Sequence, residues 1–441
     1  MLHPSICSYF RRACPSILMV MALVAPASAR PVPEPHESVV AIADVHGDFD
    51  DFLTILRRTG LVNSQNHWIG GRSTLVQDGD LLDRGPKPRE VMNLVIALEK
   101  EASSAGGRVI SLLGNHEMMN LMGDLRYVTP ANYASFSDAN SEKRQKTAFD
   151  DFAKWKASHA LLLAELPHPM EMTETEWMAR HPLGFVEQRE AFSPEGEYGK
   201  WLRGHAAVAE VDAVIFLHGG ISPALANTKL DAMNKKILAE VKAFDDFKRY
   251  LQAEKLILPF FNMQEIDNVL QAEVVAERKS LVPADVARQA KILDFLKRED
   301  WFSVRADGPL WFRGYALWSE EEGAPLVSKI LESYKAKHLV VGHTVQTGGR
   351  VRPRFENKVF LIDTGMLSSY YPGGRASALE ICDGARFIAV YPDQQVVLLD
   401  PSESSPKNGA PPAEHTGAGA TGAVGVLSPE QACSSTTAAP H

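Results

Sequence analysis

An α/β fold, with helices coating a sheet and two mainly helical insertions, is predicted by three features of the 441-residue sequence. Short β-branched runs alternate with helix-periodic segments from residue 38 onward. The runs are apolar at consecutive positions, as expected of strands buried on both faces. Five of them end in clusters of Asp, His, Asn and Gly, so the chemistry gathers at strand ends, where loops of an α/β sheet share a crevice. The composition agrees: 45% hydrophobic and 23% charged residues are an ordinary globular balance. With 46 Lys plus Arg against 55 Asp plus Glu, the net charge is −9. Such a chain has no general affinity for nucleic acid or anionic lipid and suits a metal or a basic partner better.

Residues 1–29 obey a different pattern. Arg11 and Arg12 precede the apolar run Ile17 to Ala25, and Ala27-Ser28-Ala29 offers small residues for cleavage before Arg30, as in a secretory signal peptide. The run is far shorter than the roughly 20 residues of a spanning helix, so no stable membrane insertion is expected. The expected destination is the periplasm or the exterior, by an export route that the adjacent arginines leave open. Cleavage leaves 44 basic against 55 acidic residues, a net of −11. It also removes Cys7 and Cys14; the remaining Cys382 and Cys433 are too few for a disulfide framework, and Cys382, inside a strand-like run, reads as a buried thiol.

After a lead-in through Pro31, Pro33 and Pro35, the folded domain is expected over residues 38–400. Val39-Val40-Ala41-Ile42 is the first strand; a helix with Phe49, Phe52, Leu53 and Leu56 on one face follows, then the strand Ser73-Thr74-Leu75-Val76. A second helix carries Val91, Leu94, Val95 and Leu98, and the third strand spans residues 108–113. Later strands are expected at 213–217, 338–341, 359–362, 378–382, 387–391 and 395–399. Two segments, about 120–207 and 224–300, break this rhythm as mainly helical insertions, able to bury a stripe against the core or to form a small cap. Residues 401–441, rich in Ser, Pro, Gly, Ala and Thr, read as a disordered tail.

The strand ends carry the chemistry. They are Asp44-Val45-His46-Gly47-Asp48, Asp78-Gly79-Asp80-Leu81-Leu82-Asp83-Arg84-Gly85, Gly114-Asn115-His116-Glu117, His218-Gly219-Gly220 and Gly342-His343. Asp, His and Asn are hard or borderline ligands for divalent first-row metals. A carboxylate can bridge two ions held about 3.5–4 Å apart, the arrangement that clamps an in-line displacement. Asp44, His46, Asp80, Asn115, His218 and His343 would fill such a site. Taken singly, Asp80 and Asp83 are better explained as turn caps and Arg84 as a surface pair; the five ordered clusters together outweigh that reading.

The motifs D-x-H-G, G-D-x-x-D-R-G, G-N-H-E, H-G-G and a final G-H, in this order, resemble the phosphoprotein phosphatase family of binuclear metallophosphoesterases. The helical insertions, the export signal and the run Gly308-Pro309-Leu310-Trp311-Phe312-Arg313-Gly314-Tyr315 are most similar to its bacterial, Shewanella-like branch. The resemblance covers residues 39–125, 211–225 and 305 to about 390. It implies a metallophosphoesterase-type sheet sandwich flanked by helices. It also implies two divalent ions, Mn with Fe or Zn as alternatives: Asp44 and His46 bind the first, Asp80 bridges, and Asn115, His218 and His343 bind the second. A hydroxide held between the ions would attack phosphorus, His116 would protonate the leaving group with Asp83 orienting it, and Arg84 and Arg313 would grip the phosphate. The implied substrate is a phosphoprotein or phosphopeptide, at Ser/Thr or Tyr; a small-molecule or nucleotide phosphoesterase is the alternative, because fold does not fix substrate. A noncatalytic binding module would lack ligands, and none is lacking.

Several positions stay open at this level. Arg313, among Trp311, Phe312 and Tyr315, is either a phosphate ligand or a structural arginine. His205, in a second Gly-His pair, competes with His343, and Glu117 either fixes its loop or joins the metal site. Ala43 replaces the family's usual first-motif glycine, and the S-A-P-N-Y segment of the eukaryotic members is absent near Asp363-Thr364-Gly365. Tyr370 and Tyr371 either line the pocket in its place or form an exposed aromatic loop.

Overall fold

The computed structural model describes residues 37–164, 166, 172–277, 282–404 and 426–427. In chain order the strands are β1 (Ser38–Ile42), β2 (Thr74–Gln77), β3 (Arg108–Ser111), β4 (Val208–Val211), β5 (Val214–Leu217) and β6 (His338–Val341). Then come β7 (Arg352–Arg354), β8 (Val359–Leu361), β9 (Ala378–Cys382), β10 (Arg386–Val390), β11 (Gln395–Leu399) and β12 (Val426–Leu427). They form two sheets, ordered β12-β11-β10-β9-β1-β2-β3 and β4-β5-β6-β8-β7. β1, β2 and β3 run parallel in the first, and β5, β6 and β8 in the second.

The central strands are apolar because both of their faces are covered by different layers. Successive side chains alternate sides. Val40 and Ile42 of β1, Ile215 and Leu217 of β5, and Leu339 and Val341 of β6 join the core under the helices. Val39 and Ala41, Val214 and Phe216, and Val340 meet in a second core between the sheets. Phe360 of β8 stacks on Phe387 of β10 across that layer, ring centroids 4.3 Å apart. The expected helix-flanked sheet sandwich is therefore what forms.

The helix Phe49–Arg58 starts at Asp48, whose Oδ1 accepts from Asp51 N at 3.2 Å, and buries Phe52, Leu53, Ile55 and Leu56. Pro88–Ser104 buries Val91, Leu94, Val95 and Leu98. Both insertions are helical: the first includes Ser141–Ser158, Glu174–Arg180 and Phe185–Ala191, the second Leu230–Ala253, Met263–Glu277 and Pro283–Leu296. They pack on each other. Trp155 meets Phe261 edge-on at 4.9 Å and donates its Nε1 hydrogen to Leu256 O at 3.1 Å, and buried His181 Nε2 lies 2.9 Å from Glu265 Oε1. The two insertions thus build one joint helical layer.

Two expectations are corrected. Part of the expected tail enters the fold: Pro401–Ser404 is a short 3-10 helix, and β12 pairs antiparallel with β11, covering a sheet edge that would otherwise be open. Cys382 is disulfide-bonded rather than a free thiol; pairing cannot be deduced from cysteine spacing. The expected signal peptide and lead-in, the remainder of the tail and the partner of Cys382 lie outside the described residues.

Candidate active site

The carboxyl ends of parallel strands from both sheets open on one crevice. Asp44 and His46 follow β1, Asp80 follows β2, and Asn115 and His116 begin the helix Asn115–Met122 after β3; His218 follows β5 and His343 follows β6. All seven are buried. Loops can come this close only where side chains are missing. A Cβ on Gly79, at φ +85°, would lie 2.6 Å from Gly114 Cα, and one on Gly342 would lie 2.6 Å from Asp44 Oδ1. The site also holds backbone strain: His46, Asp80, Asp83, Arg84 and His343 all have left-handed φ, from 49° to 67°. Each such residue costs of order 1–3 kcal/mol, and strain of this kind clusters where side chains must be aimed.

Asp80 is the hub of the cluster. Its Oδ1 accepts from His116 N at 3.0 Å, while its Oδ2 lies 3.2 Å from His218 Nε2 and 3.8 Å from both His46 Nε2 and His116 Nε2. Asp44 Oδ2 is 3.7 Å from His46 Nε2, and its Oδ1 accepts from His343 N at 2.9 Å. Asn115 Oδ1 and His343 Nδ1 approach His218 Nε2 at 2.9 and 3.2 Å. The outer ring nitrogens of His46 and His218 are held by Leu82 O at 2.8 Å and Asp78 O at 2.9 Å, which turns both Nε2 atoms inward.

The electrostatics suit cations. Burial pushes Asp44 up, whereas for Asp80 the charges of His218, His116 and His46 outweigh burial and hold the carboxyl well below its usual range. Burial drives His46 and His343 well below the ordinary imidazole range, leaving neutral rings with a lone pair to give. Burial also lowers His218, but Asp80, Asp44 and Asp78 outweigh it and push the ring up to about 10. The cluster therefore draws positive charge, as a proton or as an ion. His46, Asp80 and His116 form one possible ligand group and Asp80, His218 and His343 another, with Asp80 in both and the ligand atoms of each within 4.8 Å. His343 Nε2, both oxygens of Asp78 and Asp363 Oδ2 are buried without a hydrogen-bond partner among the described residues. Two divalent ions fit this donor set and charge.

Beside the hub, His116 Nδ1 is 2.6 Å from Asp83 Oδ2, and Asp83 Oδ1 accepts from Asn120 Nδ2 at 2.9 Å. Burial lowers His116, and Asp80 and Asp83 more than reverse that, so its affinity for a proton is raised. Arg84 rests against His46 Nε2, and its guanidinium faces Tyr370, Tyr127 and Tyr371 at 5.1, 5.3 and 5.4 Å. Tyr370 and Tyr371 accordingly line the site. Arg313 is exposed, its Nη1 donating to His343 O at 3.0 Å and Thr344 Oγ1 at 3.1 Å, and its other nitrogens have no hydrogen bond among the described residues. His205 is elsewhere, 3.5 Å from Glu99 Oε1, so it does not compete with His343. Asn120, Tyr127, Asp78 and Asp363 were not among the expected site residues; of these Asp78, inside a strand-end cluster, and Asn120, four residues beyond His116 on one helix face, carried a sequence signal.

Glu117 fixes its loop. Its Oε2 accepts from Gly114 N and Asp80 N at 2.8 Å each, and its Oε1 from Leu81 N at 2.9 Å. Glu117→Ala strands three buried donors, which outweighs the relief of removing a buried carboxyl, and is expected to cost about 2–4 kcal/mol. Denaturant unfolding of the two proteins checks this, and an unchanged midpoint would mean that water takes over all three donors.

Residues 38–347 match the family model for calcineurin-like phosphoesterase. The chain belongs to that family. Among calcineurin-like phosphoesterases and related chains, an uncharacterised protein of Schizosaccharomyces pombe is 29% identical over 350 residues, 78% of this chain and 76% of its own length. Shewanella-like protein phosphatase 1 of Plasmodium berghei is 26% identical over 334 residues, 74% of this chain and 67% of its length. The solved cold-active protein-tyrosine phosphatase of a psychrophilic Shewanella species is 27% identical with a TM-score of 0.52, covering 82% of this chain and 80% of that one. The resemblance to phosphoprotein phosphatases of the Shewanella-like branch is borne out, and the chain is a phosphatase-type enzyme of this family.

Proposed function

We propose that the chain is an exported phosphomonoesterase acting on phosphoprotein, at phosphoserine/threonine or phosphotyrosine. The observation that carries this reading is the His116–Asp83 pair beside a buried cluster in which Asp80 is common to two ligand groups. Asp44 and His46 would hold one ion, Asn115, His218 and His343 the other, and Asp80 both. Although His116 Nε2 also reaches the first group, Asp44 is assigned there instead: it brings a formal charge, whereas His116 is tuned to hold a proton. Bound there, Mn or a similar ion supplies Lewis acidity toward the phosphoryl oxygens and a nucleophile from water at neutral pH.

The chain's own groups do the rest. Asp83 holds His116 by Nδ1, so that Nε2 faces the substrate and can give its proton to the leaving oxygen. The bond from Asp83 favours the protonated ring. Arg84, partly buried with Nε unpartnered among the described residues, and Arg313, exposed beside His343, would grip the remaining oxygens. Tyr370 and Tyr371 present ring faces beside them, suited to the body of a phosphotyrosine, and a relative's name as a tyrosine phosphatase supports including that arm. Arg84→Ala is expected to lower kcat/KM about tenfold to hundredfold, the worth of one or two charge-assisted hydrogen bonds.

Protein lacking residues 1–29, stripped with chelator and titrated with Mn, should hydrolyse p-nitrophenyl phosphate and at least one of matched pSer, pThr and pTyr peptides. No turnover on any of them, with two ions bound, would move the substrate to nucleotides or small phosphate esters.

A further inference from the structure

Between the two helical insertions lies a cavity of about 720 Å³ that shares no residue with the metal cluster. Ala148, Val186, Leu258 and Phe260 give it apolar walls, and Arg189 and Lys248 give it charge. Arg189 is only 5% exposed, and its Nε has no hydrogen-bond partner among the described residues. Lys248 is half-buried on the helix Leu230–Ala253. Its ammonium has no hydrogen bond or ion pair among the described residues, and burial, with Arg189 adding to it, pushes it down to about 7.

The nearby carboxylates are already committed. Asp245 is held by both arms of Arg203, at 2.8 and 2.7 Å, and Glu265 by His181 and by Asn262 N, at 2.9 and 2.8 Å. The other lining acids, Asp151, Glu190 and Glu195, are exposed. Buried Arg189 and half-buried Lys248 thus share a cavity whose buried carboxylate, Asp245, is already paired with Arg203, an arrangement that is unfavourable unless something negative joins them.

We propose that this cavity is a second, noncatalytic binding site for a small organic anion, an apolar body bearing a phosphate or a carboxylate. Arg189 and Lys248 take the charged end and the apolar walls take the body.

The site is connected to the catalytic pair. Arg189 Nη1 donates to Asn120 O at 3.0 Å, and the neighbouring Gln188 Nε2 donates to Asn120 Oδ1 at 2.7 Å. Asn120 Nδ2 in turn donates to Asp83, which holds His116. An anion that draws Arg189 off the Asn120 carbonyl removes one of the bonds that position Asn120, so occupancy acts on kcat. This coupling rests on the catalytic reading of His116, whereas the binding site does not, and the two are tested separately.

Equilibrium dialysis of the Mn-loaded full chain against radiolabelled inorganic phosphate should find two sites. Lys248→Gln should remove one and Arg84→Ala weaken the other. Arg189→Gln should repeat the Lys248→Gln result, and if it fails to fold, Lys248→Gln decides alone. A single site lost in Arg84→Ala, or two sites both untouched by Lys248→Gln, overturns the proposal. Benzoate that displaces only the Lys248-dependent phosphate admits carboxylates as ligands; failure to displace it restricts the site to phosphates. In kinetics, phosphate should compete with p-nitrophenyl phosphate and also change kcat at saturating substrate at least twofold. Lys248→Gln should keep the competition and lose the kcat effect, and purely competitive behaviour in the unsubstituted protein would sink the coupling.

Discussion

His116→Asn is expected to lower kcat by about 100- to 10,000-fold, the range of a positioned general acid, while two ions stay bound. The substitution is selective for geometric reasons. An asparagine amide can stand where Nδ1 stands and donate to Asp83, which is buried and would otherwise lose a partner 2.6 Å away. The bond from residue 116 to Asp80 comes from the backbone N, so the hub carboxylate keeps it. What disappears is the proton at Nε2. The loss should therefore depend on the leaving group. p-Nitrophenolate departs readily without a proton, but a serine alkoxide does not, so the phosphoserine peptide should lose the larger factor. Equal losses on both substrates would assign His116 a structural role, and metal analysis of the same samples separates that from a damaged centre.

The central strands and the ligand clusters were legible in the sequence for one reason. Strands covered on both faces are continuous apolar runs, and a run that ends abruptly in Asp, His or Asn marks the point where chain leaves the core. The strands that escaped notice are all sheet edges: β4 and β7 bound the second sheet, and the two-residue β12 bounds the first. Glu210 is exposed in β4, and β7 is Arg-Pro-Arg, so neither has the apolar run that betrays a buried strand. The site was legible where a motif supplied the residue and illegible where only proximity did. Tyr127 reaches His116, ring centroids 5.0 Å apart, from a loop with no recognisable pattern, and Asp363 matters because β8 lies beside β6. Left-handed φ at His46, Asp80, Asp83, Arg84 and His343 could not be foreseen either, since none of the five is glycine. The joint packing of the insertions depends on Trp155 meeting Phe261 and Trp177 meeting Phe260 of the other insertion, and periodicity within a helix is silent about its partner.

Asp80→Asn should remove the metal centre rather than slow it. Asp80 is the residue common to both ligand groups, so its loss weakens two ions at once, and it alone is ringed by His46, His116 and His218. Asparagine can still accept from His116 N through its oxygen, so the loop geometry survives. It supplies no charge, and the other oxygen becomes an amide that cannot share an ion. Metal analysis should fall from two ions per chain toward none, with kcat below one-thousandth of the unsubstituted value, about 4 kcal/mol of lost transition-state stabilisation. A second readout is independent of turnover. Ligands that bind only the folded state stabilise it by mass action, about 4 kcal/mol for a site filled at a thousand times its Kd. The unsubstituted protein should therefore melt higher as Mn is added, and Asp80→Asn should show no such rise. Because His116→Asn is expected to keep it, the pair of variants tests the division of roles directly: equal metal loss in both would refute it.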